Sequence, residues 1–325
     1  MSKISDSTLT LRVLGRSIFR VIGRLCRGRI SSFLEEAAVV INGLLDAGHL
    51  NIAECALRRL HAAFPTLPFA SNLCGVFDRI PPVGATHSAF RDDPAKDVQI
   101  FSRSSDIVVL LFCSSGHNLG LPLPVIHRWF ARLPASLIYL RDFKRVYFFD
   151  GVQSLGPSRE ATLAELRRII ASLHGRRIVC FGQSSGTFAA LDYGLELGAD
   201  AILCMAGPTN LSVEFNIHTR REMKSIALTS QFPDARFDMR EVYSAVARPP
   251  RVCIVYGKNN WDDRDQTEHM EELSCVTLCG IENCSEHNVL MDAIMREKFE
   301  GLLDWLVREP EGTSSTAHHR RQSVA

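Results

Sequence analysis

The chain is 325 residues long, with 46% hydrophobic and 22% charged residues, 21 glycines and 14 prolines. These values exclude a disordered, collagen-like or low-complexity protein and point to one large globular domain with an appendage. Lysine and arginine number 37 against 36 aspartates and glutamates, so no global field marks a nucleic-acid binder, yet residues 1–30 hold Lys3, Arg12, Arg16, Arg20, Arg24, Arg27 and Arg29 against Asp6 alone.

In a helical projection of residues 11–29, Leu11, Leu14, Ile18, Val21, Ile22 and Leu25 fall on one side and the arginines on the other. Such a helix suits an anionic membrane surface or an acidic protein partner. The plainer reading, which is preferred, is a face packed on its own chain with solvated arginines. One short arginine stripe without an aromatic platform does not make a nucleic-acid site. Ser32 with Glu35 reads as a capping box opening a helix to about residue 46, followed by helices at 52–63 and 69–77. Gly48, Ala53, Ala56, Leu60 and Pro65 loosely resemble one and a half tetratricopeptide repeats, so residues 31–80 are expected to form a small helical, tetratricopeptide-like appendage.

Pro81, Pro82, Gly84, Asp92, Asp93 and Pro94 mark residues 81–97 as a linker. Beyond it short apolar runs alternate with helical stretches, the signature of a mostly parallel sheet. The runs predict strands at 98–101, 107–112, 137–140, 145–149, 177–181, 201–205, 252–256 and 276–278. A helix is expected at 158–173, with Leu163, Leu166, Ile169, Ile170 and Leu173 on one face, and a closing helix at 289–307. Residues 309–325 have no apolar period and read as a frayed tail.

The ten cysteines include no C-x-x-C pair, and Cys113, Cys180, Cys204 and Cys253 lie in or beside apolar runs, where a thiol behaves as a small hydrophobe. Free thiols and a cytoplasmic location follow as expectations, peripheral to a membrane where the basic helix engages one. No apolar run approaches the ~20 residues that span a bilayer.

The residues that carry chemistry start at Gly182-Gln183-Ser184-Ser185-Gly186, a G-x-S-x-G directly after a predicted strand and before a helical stretch. A sharp strand-to-helix turn presents Ser184 at a helix N-terminus, and glycines two before and two after keep the neighbouring chain clear. A neutral hydroxyl needs a base, and the base needs an acid to hold its tautomer.

On this motif the chain resembles the α/β-hydrolase family over about residues 98–307. The resemblance implies an α/β fold: a mostly parallel eight-stranded sheet flanked by helices, preceded by the small α-helical segment, with domain limits at 98–308. It implies a base at His287, which follows the last short strand and opens the closing helix. The acid is expected in the loop after residues 252–256, where the position three after Gly257 is Asn260, a departure from the usual carboxylate. Asp263 is the choice, with Asp262 the alternative and Asp265 facing solvent. Oxyanion donors are expected from the Ser185 N–H and the Ser114 N–H, with Cys113 or Ser115 as neighbours, and His117 is assigned to a pocket rim or a hydrogen-bonded loop role. Residues 207–248, with Phe215, Met223, Phe232 and Phe237, read as a lid and acyl pocket. The activity implied is a serine hydrolase acting on a small-molecule ester or thioester through an acyl-enzyme, with no metal or organic cofactor. The same residues would serve an acyltransferase, and a catalytically silent scaffold that binds a partner or membrane is the alternative of a different class.

Overall fold

The computed structural model describes residues 30–82 and 90–309. The basic helix expected at 11–29, residues 83–89 of the linker and the tail beyond 309 lie outside the described residues. The chain divides into two compact units, one ending at Asp78 and the other beginning at Arg79.

In the first unit the helices are α1 (Ile30–Asp46), α2 (Leu50–Ala63) and α3 (Pro68–Phe77). Ile41 and Leu45 on α1, and Ala53, Leu57 and Leu60 on α2, repeat at helical spacing and are buried. Pro68 occupies the first turn of α3, where its missing N–H leaves no helical bond unmade. Ser32 is not the N-cap that the sequence suggested. Ser32 lies inside α1, and a residue with helical backbone cannot adopt the extended conformation an N-cap requires.

The second unit carries β1 (Val98–Phe101), β2 (Ile107–Phe112), α4 (Leu123–Phe130), β3 (Ser136–Leu140), α5 (Arg159–Ser172), β4 (Arg177–Gln183), α6 (Ser185–Glu196) and β5 (Ala201–Met205). It continues through α7 (Val213–Asn216), α8 (Glu222–Gln231), α9 (Met239–Ser244), β6 (Arg251–Gly257), α10 (Trp261–Glu268), β7 (Val276–Ile281), α11 (Val289–Met295) and α12 (Phe299–Val307). The strands form one seven-stranded sheet in the order β1-β3-β2-β4-β5-β6-β7. Only the β1–β3 pair is antiparallel. Both faces are covered, as a parallel sheet requires. Val108, Leu110, Phe112, Cys180, Ile202 and Ile254 pack with Leu166 of α5 and Phe188 and Leu191 of α6. On the other face Phe181 meets Phe130 of α4 at 5.0 Å and Phe299 of α12 at 6.3 Å between ring centroids.

The sheet has seven strands where eight were expected. Residues 145–149 form a loop in which Arg145, Tyr147 and Phe148 take left-handed backbone conformations. Asp142 holds it, its carboxylate accepting from the Val146 and Phe148 amides at 2.6 and 3.0 Å. The apolar run reported burial (Phe148 is fully enclosed) rather than pleating. The closing helix is two helices, α11 and α12, separated at Glu297 with φ 57°. Residues 91–97 are held to the second unit rather than trailing as a linker. Arg141, at the end of β3, forks onto Asp92 at 2.6 and 2.7 Å and also donates to the carbonyls of Asp93 and Lys96. The nine cysteines among the described residues are free thiols. No helix among the described residues is long and apolar enough to cross a membrane.

Candidate active site

At the carboxyl end of β4 the chain turns sharply into α6, and Ser184 sits on that turn with φ 52° and ψ −120°. A non-glycine residue there stores strain on the order of 1–3 kcal/mol and must be held by its surroundings. The holding bonds run from the Ser184 N–H to the Met205 carbonyl, at 3.0 Å, and from the Thr187 N–H to the Ser184 carbonyl, at 2.9 Å.

The elbow needs close backbone approach. A Cβ on Gly186 would lie 2.1 Å from the Phe112 carbonyl oxygen and 2.8 Å from that of Cys113. Gly186→Ala is therefore expected to destabilise by about 1–3 kcal/mol or more, because rigid backbone opposes the methyl group. Gly301→Ala in α12, with open space around it, is expected to stabilise by about 0.5–1 kcal/mol. Urea unfolding midpoints of the two variants check both signs. Gly207, just beyond β5, packs equally close: a Cβ there would fall 2.1 Å from the Ser184 carbonyl oxygen. No local motif singles out that glycine; only the neighbouring position of β5 in the sheet reveals it.

His287 follows β7 and a short loop. Its Nε2 lies 2.7 Å from Ser184 Oγ, and its Nδ1 lies 2.7 Å from Asp263 Oδ2. A carboxylate only accepts, so the Nδ1–H donates to Asp263, and Nε2 is left to accept from the serine hydroxyl. Asp263 is fully buried in the first turn of α10. Its N–H donates to Asn260 Oδ1 at 3.2 Å, so Asn260 is the N-cap of the helix that carries Asp263.

The alternative carboxylates go elsewhere. Asp262 pairs with the Arg220 Nε and lies 3.7 Å from Arg221. Asp265 is mostly exposed, near Arg264. His269 ends α10, hydrogen-bonded to Asp238 at 2.8 Å and packed on the Phe215 ring. His117 packs on Phe143 with ring centroids 5.1 Å apart, and burial, aided by Arg145, lowers its pKa. Burial pushes the Cys113 thiol up to about 12, which leaves it inert beside the elbow.

The loop after β2 corrects one expectation. The Ser114 N–H donates to the Asn118 carbonyl at 2.8 Å, and the Cys113 N–H to the Leu140 carbonyl at 2.9 Å, so neither amide is free for an oxyanion. The loop curls because Ser114 Oγ also bonds the Asn118 side chain and accepts from the Gly116 N–H. Among the described residues, Ser115 is the member of this run whose N–H has no partner in the chain. Ser185 is the first residue of α6, where the N–H points out of the helix unpaired. Asn288, next to the histidine, was not expected at the site. Its Nδ2 donates to the Gly120 carbonyl at 2.6 Å and ties the histidine loop to the loop after β2.

The insertion of residues 207–248 folds into α7, α8 and α9. Phe232 and Phe237 pack on Phe149, at 5.5 and 5.2 Å between centroids, and so belong to the core rather than to an acyl pocket. Met223 and Ile217 are exposed.

No family model and no curated protein matches the chain. Solved structures similar to it include a lipase-esterase related protein from Clostridium acetobutylicum, at 11% identity, covering 65% of this chain and 100% of that one with a TM-score of 0.44. An S-formylglutathione hydrolase from Agrobacterium tumefaciens is 14% identical, covering 62% and 84% with a TM-score of 0.43. The capsule O-acetyltransferase of Neisseria meningitidis serogroup A is 14% identical, covering 70% and 99% with a TM-score of 0.46. What identifies the fold is the chain's own geometry: a mostly parallel sheet, a strained serine between β4 and α6, and carboxylate then histidine following it along the chain. From β1 to α12 the described residues have the α/β-hydrolase fold.

Proposed function

We propose that this protein is a serine hydrolase that cleaves an ester or thioester through an acyl-enzyme on Ser184. The observation that carries the reading is the hydrogen-bonded sequence Ser184 Oγ, His287, Asp263, with both links at 2.7 Å and the serine on a strained elbow.

Ser184 Oγ attacks the carbonyl carbon as its proton passes to His287 Nε2, which Asp263 keeps in the accepting tautomer. The carbonyl oxygen becomes an oxyanion held by the Ser185 N–H and, in place of Ser114, the Ser115 N–H. Each such donor is worth about 10²–10³ in rate. The intermediate collapses as His287 returns the proton to the departing alcohol or thiol. Water then attacks the acyl-enzyme, again losing its proton to His287, and releases the acid with Ser184 regenerated. An acceptor hydroxyl replacing that water would make the same machinery an acyltransferase. The departure at Asn260 gives no support to a silent scaffold, because that residue caps the helix while Asp263 serves as acid.

The test is covalent. On incubation with a fluorophosphonate and proteolysis, mass spectrometry is expected to find one phosphonyl adduct, on the peptide bearing Ser184. An unlabelled protein, or an adduct confined to Ser185 or another serine, overturns the proposal.

A further inference from the structure

The second oxygen of the acid is held in an unusual way. Asp263 Oδ2 accepts from the His287 Nδ1–H, and Oδ1 faces two arginines of the insertion, Arg221 Nη2 at 3.4 Å and Arg220 Nη2 at 3.9 Å. Among the described residues no backbone amide donates to either oxygen. A fully buried carboxylate with one oxygen unpartnered would be costly, and its χ2 is a broad torsion that packing alone fixes poorly. Arg221 is itself mostly enclosed, with its side chain 11% exposed.

The insertion is clipped to α10 so that Arg221 reaches this place. Gln266, one turn beyond Asp263, accepts from the Thr209 and Asn210 amides at 2.9 Å each and donates to Asn216 Oδ1 at 3.2 Å. Asn216 accepts the Thr219 hydroxyl proton on its carbonyl at 2.7 Å, and Thr219 Oγ1 accepts from the Arg221 N–H at 3.1 Å. The path leaves α10 at Gln266 and returns to it at Asp262 and Asp263. Asp262 shares the same arginines and takes the closest contact, from Arg220 Nε.

The geometry points to Arg221 as a positioning residue for the acid: supplied by the insertion, it fixes the carboxylate so that Oδ2 faces His287. This rests on the serine-hydrolase reading above. The insertion and the catalytic residues then form one mechanical unit, and displacing the 216–221 segment slackens the acid.

The experiment is a double-mutant cycle read by the rate constant of fluorophosphonate labelling and by kcat and KM on p-nitrophenyl acetate. Arg221→Ala is expected to lower the labelling rate and kcat by about 10²-fold, with KM changed by less than about threefold. Arg221→Lys, which keeps the charge, is expected to recover most of the loss. In an Asp263→Asn background, Arg221→Ala is expected to cause no further loss of labelling rate, because the carboxylate it positions is gone and the carboxamide is released from the guanidinium. A loss of equal size in both backgrounds, a change in KM alone, or no loss in the wild-type background overturns the proposal. Should the alanine variant fail to fold, Arg221→Gln carries the same cycle with the same expectations. Wild-type protein that takes no label at Ser184 sinks the hydrolase reading itself, an outcome distinct from normal labelling that ignores Arg221.

Discussion

Ser184→Ala is expected to lower kcat on a short-chain ester by about 10⁶-fold while leaving the fold in place. The hydroxyl makes one hydrogen bond, to His287, and the elbow is held by backbone contacts that alanine preserves: the Ser184 N–H to Met205 and the Thr187 N–H to the Ser184 carbonyl. Alanine tolerates the φ of 52° no worse than serine, so the thermal midpoint stays close to that of the wild type. What remains of the rate is the part that the oxyanion amides supply without a nucleophile. A steady-state assay beside a melting curve separates this outcome from a folding defect, and a variant that keeps more than a hundredth of the activity contradicts it.

The second large effect is at the acid. Asp263→Asn is expected to reduce kcat by about 10⁴-fold, whereas Asp265→Asn stays within about twofold of the wild type. The reason lies in what surrounds the carboxylate. A carboxamide at residue 263 has one acceptor oxygen, and Arg221, which only donates, lies on the Oδ1 side at 3.4 Å. The amide therefore turns its oxygen to the guanidinium and its NH₂ to His287 Nδ1. That imidazole nitrogen must then accept, which puts the proton on Nε2 and leaves no lone pair for the serine. Asp265 is 55% exposed and touches none of these groups, so the paired measurement isolates the tautomer effect. Equal losses at the two positions would assign the acid wrongly.

How much of this could be read from residue order follows the range of the interaction. Apolar runs marked the strands well, because a strand covered on both faces must be apolar at nearly every position, as β2 is. The same signal misread 145–149, where burial is achieved by a loop hung on the Asp142 carboxylate. The elbow was legible because strand, turn and helix are contiguous, and His287 and Asp263 because their order along the chain is constrained. The Ser114 amide was misassigned because its bond to Asn118 depends on how the loop curls. Gly207, Asn288 and Arg221 were invisible for the opposite reason. Each acts across a gap in sequence, on Ser184, Gly120 and Asp263 respectively, and nothing beside them along the chain announces it.

The order in which the sheet is laid down has a consequence for synthesis. From β4 onward each new strand is added beside the last, through β5 and β6 to β7, and the serine stands at the beginning of that series while the histidine stands past its end. They are 103 residues apart. A ribosome working at ~5–20 residues per second therefore releases the serine about 5–20 s before its base. Throughout that interval Ser184 of the nascent chain lacks the imidazole that it faces in the finished fold. The Ser184–His287 pair closes only once the chain past β7 has left the exit tunnel.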